Sequence, residues 1–121
     1  MERKRIKLDE IAPSFGDVAQ SGHFHNSDLI NKVKKDGWQE IPPIPVVEIP
    51  EHLRHLVNGK KYHYTDGNHR YDAAFINGEE DIDSIIYGEK DDLEEVSKQT
   101  GGGYLIKSLA TEKFFYDCFV N

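Results

Sequence analysis

Tyr64-Thr65-Asp66-Gly67-Asn68-His69-Arg70-Tyr71-Asp72-Ala73-Ala74 (YTDGNHRYDAA) admits two readings. Asp-Gly between apolar runs is the usual signal of a tight hairpin, which would give strand, turn, strand. The residues that follow point elsewhere. Ala73 and Ala74 are adjacent, Tyr71, Ala74 and Phe75 supply apolar positions, and Gly78 stands as a stop, a pattern that fits a short helix better than a strand. The expected order is therefore a strand, then Asp66-Gly67-Asn68, then a helix.

A helix start exposes unpaired backbone N–H groups and the positive end of the helix dipole, so a strand-to-helix junction attracts anions. Gly67 lets a ligand approach the backbone, Asn68 and His69 can cap or donate hydrogen bonds, and Arg70 adds forked donors that match phosphate or carboxylate oxygens. These four residues favour a phosphate as guest. Asp66 opposes it, because a carboxylate repels a phosphate unless a cation lies between them or the side chain points elsewhere. Three roles stay open for Asp66: a base toward a hydroxyl substrate, a ligand of Mg²⁺ held against phosphates, or a carboxylate satisfied within its own turn.

Working outward, the alternation from Ile6 to Ile11, stopped by Pro13, reads as a first short strand. Residues 14–26 show no periodicity and read as a functional or mobile loop that contains Asp17, His23 and His25. Asn26 or Ser27 can cap a helix whose apolar face is Leu29, Ile30 and Val33 and whose end is Gly37. Ile41-Pro42-Pro43-Ile44-Pro45-Val46-Val47-Glu48-Ile49 must be extended, with Pro43 and Pro45 suited to a strand margin. It is expected to pair in a hairpin-like way with 62–64, with a short helical excursion over 51–57 inside the connection. A strand over 82–87 and an acidic helix over about 91–98 follow. Gly101-Gly102-Gly103 is read as a hinge before the aromatic segment 104–120.

The 121 residues make one domain, and 37% hydrophobic with 31% charged residues fit a small soluble protein. No apolar run is long enough to span a bilayer and the N-terminus lacks a signal-peptide core, so a cytoplasmic location without membrane contact is expected. The net charge of -7 disfavours direct DNA binding by this chain alone. Cys118, the single cysteine, lies among aromatic residues and reads as a buried thiol. His52 and His55 have a metal-ligand spacing but no partners, and surface positions are expected for them. The lysines at 32, 34, 35, 60 and 61 read as solvated. Trp38, Tyr62, Tyr64 and Tyr71 read as core or cross-strand residues before base-stacking ones.

The order of elements and several motifs resemble the ParB/sulfiredoxin superfamily. The likeness covers about residues 5–87 and rests on IKLDEIAPS, SDLINKVKKDGW, PPIPVVEI, DIDSIIY and, most specifically, DGNHRYDAA followed by Gly78. It implies a small α/β (α+β) fold, a mixed sheet with short helices, in which a glycine-to-arginine segment at a helix N-terminus binds nucleotide phosphates. Residues 1–87 would form the nucleotide-binding core and 88–121 a C-terminal extension packed on the same domain. Gly67, Asn68, His69 and Arg70 match the phosphate-binding segment. Sulfiredoxins carry their catalytic cysteine at the place of Asn68, and asparagine cannot act as that thiolate. ParB partition proteins have a glutamate and two arginines at 68–70 and add a helix-turn-helix domain, which the residues after 87 do not suggest. The Asp-Gly-x-His-Arg form resembles the free serine kinase branch, with Asp66 as its aspartate.

The expectation drawn from residues and resemblance together is Mg²⁺-dependent phosphoryl transfer or hydrolysis of ATP, ADP or CTP. Gly67 to Arg70 would hold phosphates, Asp66 would serve as base or magnesium ligand, and Asp17, His23 and His25 would lie near the pocket. A small hydroxyl-bearing molecule is the expected acceptor. The alternatives are a noncatalytic nucleotide-dependent switch in a DNA-associated system and a ParB-like nuclease. The terminal aromatic segment is expected to pack on the sheet, with a homodimer contact as its other reading.

Overall fold

The computed structural model describes residues 1–12 and 26–101. Five strands, β1 (Glu2–Lys7), β2 (Ile11–Ala12), β3 (Ile44–Glu48), β4 (Tyr62–Tyr64) and β5 (Asp81–Ile86), form one mixed sheet in the order β1-β5-β3-β4-β2. Three α-helices accompany it: α1 (Ser27–Asp36), α2 (Asn68–Ile76) and α3 (Leu93–Thr100). This is the α+β class expected. No helix among the described residues is long and apolar enough to cross a membrane.

Alternation along the strands supplies two apolar faces. Ile44 and Val46 join Ile6, Leu8, Ile11, Tyr62, Tyr64, Ile82 and Ala74 of α2 in one cluster. Val47 and Ile49 join Ala12, Leu53, Val57, Tyr87 and Val96 of α3 in the other. A middle strand covered on both sides must read as an almost unbroken apolar run, and the residues of β3 are buried from Ile44 to Val47. α1 packs on α2 and extends the first layer.

The first strand differs from its expectation. β1 ends at Lys7, where the alternation appeared only to begin, and Leu8–Glu10 forms a 3₁₀ turn before β2. Its charged residues sit comfortably at a sheet edge, where Arg3 meets Asp83 and Arg5 meets Asp81 diagonally, each at 2.6 Å. β1 and β2 occupy opposite edges of the sheet, yet only Leu8–Glu10 separates them. Four residue steps reach at most about 14 Å. The outer strands of a flat five-stranded sheet would stand about 19 Å apart. The sheet therefore curls until its edges can be bridged, and backbone hydrogen bonds Leu8 N–Glu80 O and Lys61 N–Glu10 O, both 3.0 Å, fasten the bridge at its two ends.

Pro45 stands inside β3 and not at a margin. Its carbonyl accepts from Thr65 N at 3.0 Å, so the donor it lacks faces Thr65, the residue at which β4 has already ended. A proline is tolerated in this middle strand because its missing N–H falls where the partner strand departs. The connection after β3 is as expected: 3₁₀ residues Glu51–Val57, Asn58 at φ +58, and an antiparallel return as β4. α3 starts two residues later than expected. Asp92 caps it by accepting from Glu94 N at 3.0 Å, while Asp91 accepts from Gly88 N at 2.8 Å.

Candidate functional site: the start of α2

The chain leaves β4 at Tyr64, whose ring lies 5.2 Å from that of Tyr71, and enters α2 at Asn68. Two hydrogen bonds steady the turn between them. Thr65 N donates to Pro45 O, and the Tyr87 hydroxyl lies 2.9 Å from Thr65 Oγ1. Gly67 occupies the position before the helix at φ +95. A Cβ here would lie 2.7 Å from Ile44 Cγ2, so glycine is demanded by close packing on β3 as well as by the left-handed backbone.

Helices α1 and α3 are capped by Asn26 and Asp92, but α2 has no side-chain cap and no acidic residue in its first turn. The first turn of any α-helix has N–H groups without intrahelical acceptors, here those of Asn68, His69 and Arg70. The first intrahelical bond comes at Tyr71 N to Gly67 O, 2.9 Å. Asn68 and His69 are exposed. Polarity, backbone donors and access therefore coincide at one point.

Arg70 turns back from this point into the protein. Its Nη1 lies 3.2 Å from Pro42 O, 2.9 Å from Pro43 O and 2.8 Å from Thr100 O, the last carbonyl of α3. Its Nη2 faces Asp66 Oδ2 at 3.5 Å. Only 13% of the side chain is exposed. Burial pushes the guanidinium below its ordinary pKa and the Asp66 carboxylate opposes that shift; an arginine remains a cation regardless.

Asp66 is half-buried and stands on the same side of the junction as Arg70. Among the described residues no three His, Cys, Asp or Glu side chains gather as a metal site. One carboxylate fits Mg²⁺ only in the manner of an ion carried on phosphates, which needs one or two carboxylates and keeps its waters.

The other expected positions separate clearly. Asp17, His23, His25 and Cys118 lie outside the described residues, as does the terminal aromatic segment. His52 and His55 are exposed on the 3₁₀ turn. Tyr62 and Tyr64 are core residues, and Trp38 and Tyr71 pack against them. Lys61 and Lys32 face Glu10 and Glu40, and Lys60 donates to Asp9 O. Phe75, one of the apolar positions that marked α2 in the sequence, is 67% exposed; Ala73 and Ala74 take the buried positions, and Phe75 lies one residue beyond them around the helix. It borders a cavity of about 650 Å³ with Leu8, Lys60, Tyr71 and Glu79. That cavity flanks the C-terminal half of α2, away from Gly67 to Arg70. Backbone anion sites need converging donors more than enclosed volume, so the two features are distinct.

Sequence reasoning missed the carbonyls of Pro42, Pro43 and Thr100. Backbone acceptors leave no mark in residue type. Gly101, expected as part of a hinge after a helix ending near Lys98, is instead the left-handed residue that directly ends α3 at φ +94, and it is a neighbour of Arg70.

No protein-family model and no curated protein matches the chain. Among solved structures it is similar to a conserved hypothetical protein from Pyrococcus furiosus, at 24% identity and TM-score 0.55, over 76% of this chain and 34% of that one. The chain thus spans about a third of that protein's length. It is also similar to the sulfiredoxin of Arabidopsis thaliana, at 20% identity and TM-score 0.49, over 82% of this chain and 97% of that one. The Pyrococcus likeness is one of fold.

Proposed function

We propose that the start of α2 binds the phosphates of a nucleotide. The observation that carries this reading is the uncapped first turn of α2, with Gly67 in the left-handed region before it and the Arg70 guanidinium beside it. The amides of Asn68, His69 and Arg70 would take phosphate oxygens. The Nε and Nη2 of Arg70 remain for a further oxygen, because the three carbonyls engage Nη1.

Asp66 decides between turnover and binding alone. In the catalytic form, Asp66 parts from Arg70 as phosphate takes the arginine. Its carboxylate then accepts the proton of an attacking hydroxyl or water, or shares Mg²⁺ with the phosphates. Mg²⁺, when bound, would offset phosphate charge. The chain's own residues would position the phosphoryl group and stabilise its charge. In the noncatalytic form, Asp66 keeps its pair with Arg70, 3.5 Å away, and the nucleotide acts as a switch.

The experiment is a thermal-shift panel of ATP, ADP, CTP, GTP and pyrophosphate, with and without Mg²⁺, on the native chain and on Arg70→Ala. A ligand at a hundredfold excess over its Kd stabilises the folded state by about 2.7 kcal/mol. A shift for one nucleotide that Arg70→Ala abolishes supports the site; no shift with any compound, or a shift indifferent to Arg70, overturns it. Turnover that falls at least tenfold in Asp66→Asn favours the catalytic form.

A further inference from the structure

We propose that Arg70 couples the start of α2 to the end of α3, so that phosphate binding and the docking of α3 reinforce one another. This rests on the phosphate-binding reading above and assigns its regulation to a particular contact.

The guanidinium has five N–H donors in a rigid fork. Two belong to Nη1, and three carbonyls share them: Pro42 O, Pro43 O and Thr100 O. Those acceptors come from the segment that leads into β3 and from the last turn of α3. Nη2 has Asp66 at 3.5 Å, beyond a good hydrogen bond. One edge of the fork is thus saturated by the fold and the opposite edge is left facing the α2 junction.

Each side of this arrangement orients the other. Without the three carbonyls, a long side chain would lose rotamer freedom each time it met an anion; with them, that ordering is already done. Thr100 O, at the negative end of a helix, lacks an intrahelical donor, and an arginine is a favourable partner for it. Gly101 completes the junction: a Cβ there would approach Pro42 Cγ to 3.0 Å and Arg70 Nη1 to 3.8 Å. The end of α3, Pro42 and Arg70 therefore form one packed unit. Linkage makes such a coupling reciprocal: if an anion that fixes the outer edge of Arg70 tightens its hold on Thr100, a firm hold on Thr100 tightens anion binding by the same factor.

Amide hydrogen exchange on the whole chain tests this in two steps. Without ligand, Arg70→Ala and the milder Arg70→Lys should speed exchange over residues 96–101 by about fivefold or more, the lower end of ordinary site coupling. Phe75→Ser, on the far part of α2, should leave those amides unchanged. Unaltered exchange in folded Arg70 variants overturns the coupling, whatever the fate of the phosphate reading. In the second step, saturating Mg-ATP or pyrophosphate should slow exchange over 96–101 in the native chain by a similar factor. Gly101→Ala should weaken binding of the same compound by about fivefold. Binding that leaves α3 exchange untouched overturns the coupling while the site stands. Failure of both compounds to bind removes the site and the ligand half of the coupling with it, and the first step still decides whether Arg70 holds α3.

Discussion

Gly67 combines two demands on a single position, the positive φ of +95 and the 2.7 Å approach to Ile44 Cγ2. Gly67→Ala should accordingly cost about 2 kcal/mol or more in urea unfolding. A loss near zero would show that β3 gives way. His63 offers a second test. It is 2% exposed, and its Nδ1 lies 3.0 Å from Ala12 O; a carbonyl only accepts, so Nδ1 carries the proton. Burial pushes its pKa down to about 4, with the Ala12 hydrogen bond opposing. A depressed folded pKa means that stability is full above the unfolded value near 6.5 and is lost as pH falls toward 4. The loss attributable to His63 should approach about 3 kcal/mol, measured as the difference in pH dependence between the native chain and His63→Gln. Identical slopes for the two proteins would remove His63 from the account. At this scale the place of Gly67 just before the helix was legible, but the reason expected for it, room for a ligand, was not the one found: the missing Cβ faces Ile44 of β3, a contact between segments distant along the chain. The partners of Arg70 were not legible, since they are backbone oxygens from segments distant along the chain.

The helices show why some elements can be read and others only in part. Asn26 and Gly37 bracket α1 as expected, with Asn26 Oδ1 accepting from Leu29 N at 3.0 Å. Asn26→Ala should lower stability by about 1 kcal/mol, seen in chemical denaturation. For α3, two adjacent aspartates competed for the cap, and the losing one, Asp91, found Gly88 N. Local pattern put the start at about residue 91, and tertiary placement moved it to Leu93. The same holds for α2, where Tyr71, Ala74 and Phe75 could not all face inward. The close approach of the helix to the sheet admits Ala73 and Ala74 and turns the large Phe75 outward.

Taken whole, the molecule is held by two apolar layers on either side of one sheet, and β3 serves both. Ile44→Ala removes a fully buried side chain under α2 and should cost about 2–5 kcal/mol. Phe75→Ser, on a side chain 67% exposed, should change stability by less than about 0.5 kcal/mol. Comparable losses from the two substitutions, read from denaturation midpoints, would mean that Phe75 is covered in solution. The hairpin was readable from prolines, Asn58-Gly59 and the strand periodicities, whereas the mixed sheet was expected only from the family resemblance. The edge placement of β1 and β2 was not, because strand order depends on pairings between distant segments: Ile6 faces Ile82, and Ile11 faces Tyr62.

The Leu8–Glu10 bridge has a consequence for how the protein is made. β1 and β2 precede their partners in the chain, since β1 pairs with β5 and β2 with β4, and so they leave the ribosome before them. Until those strands are made, neither β1 nor β2 has its native partner. β4 emerges before β5, so the two rims gain their partners in turn, and the short tie keeps β1 close to β2 while β5 is still to come.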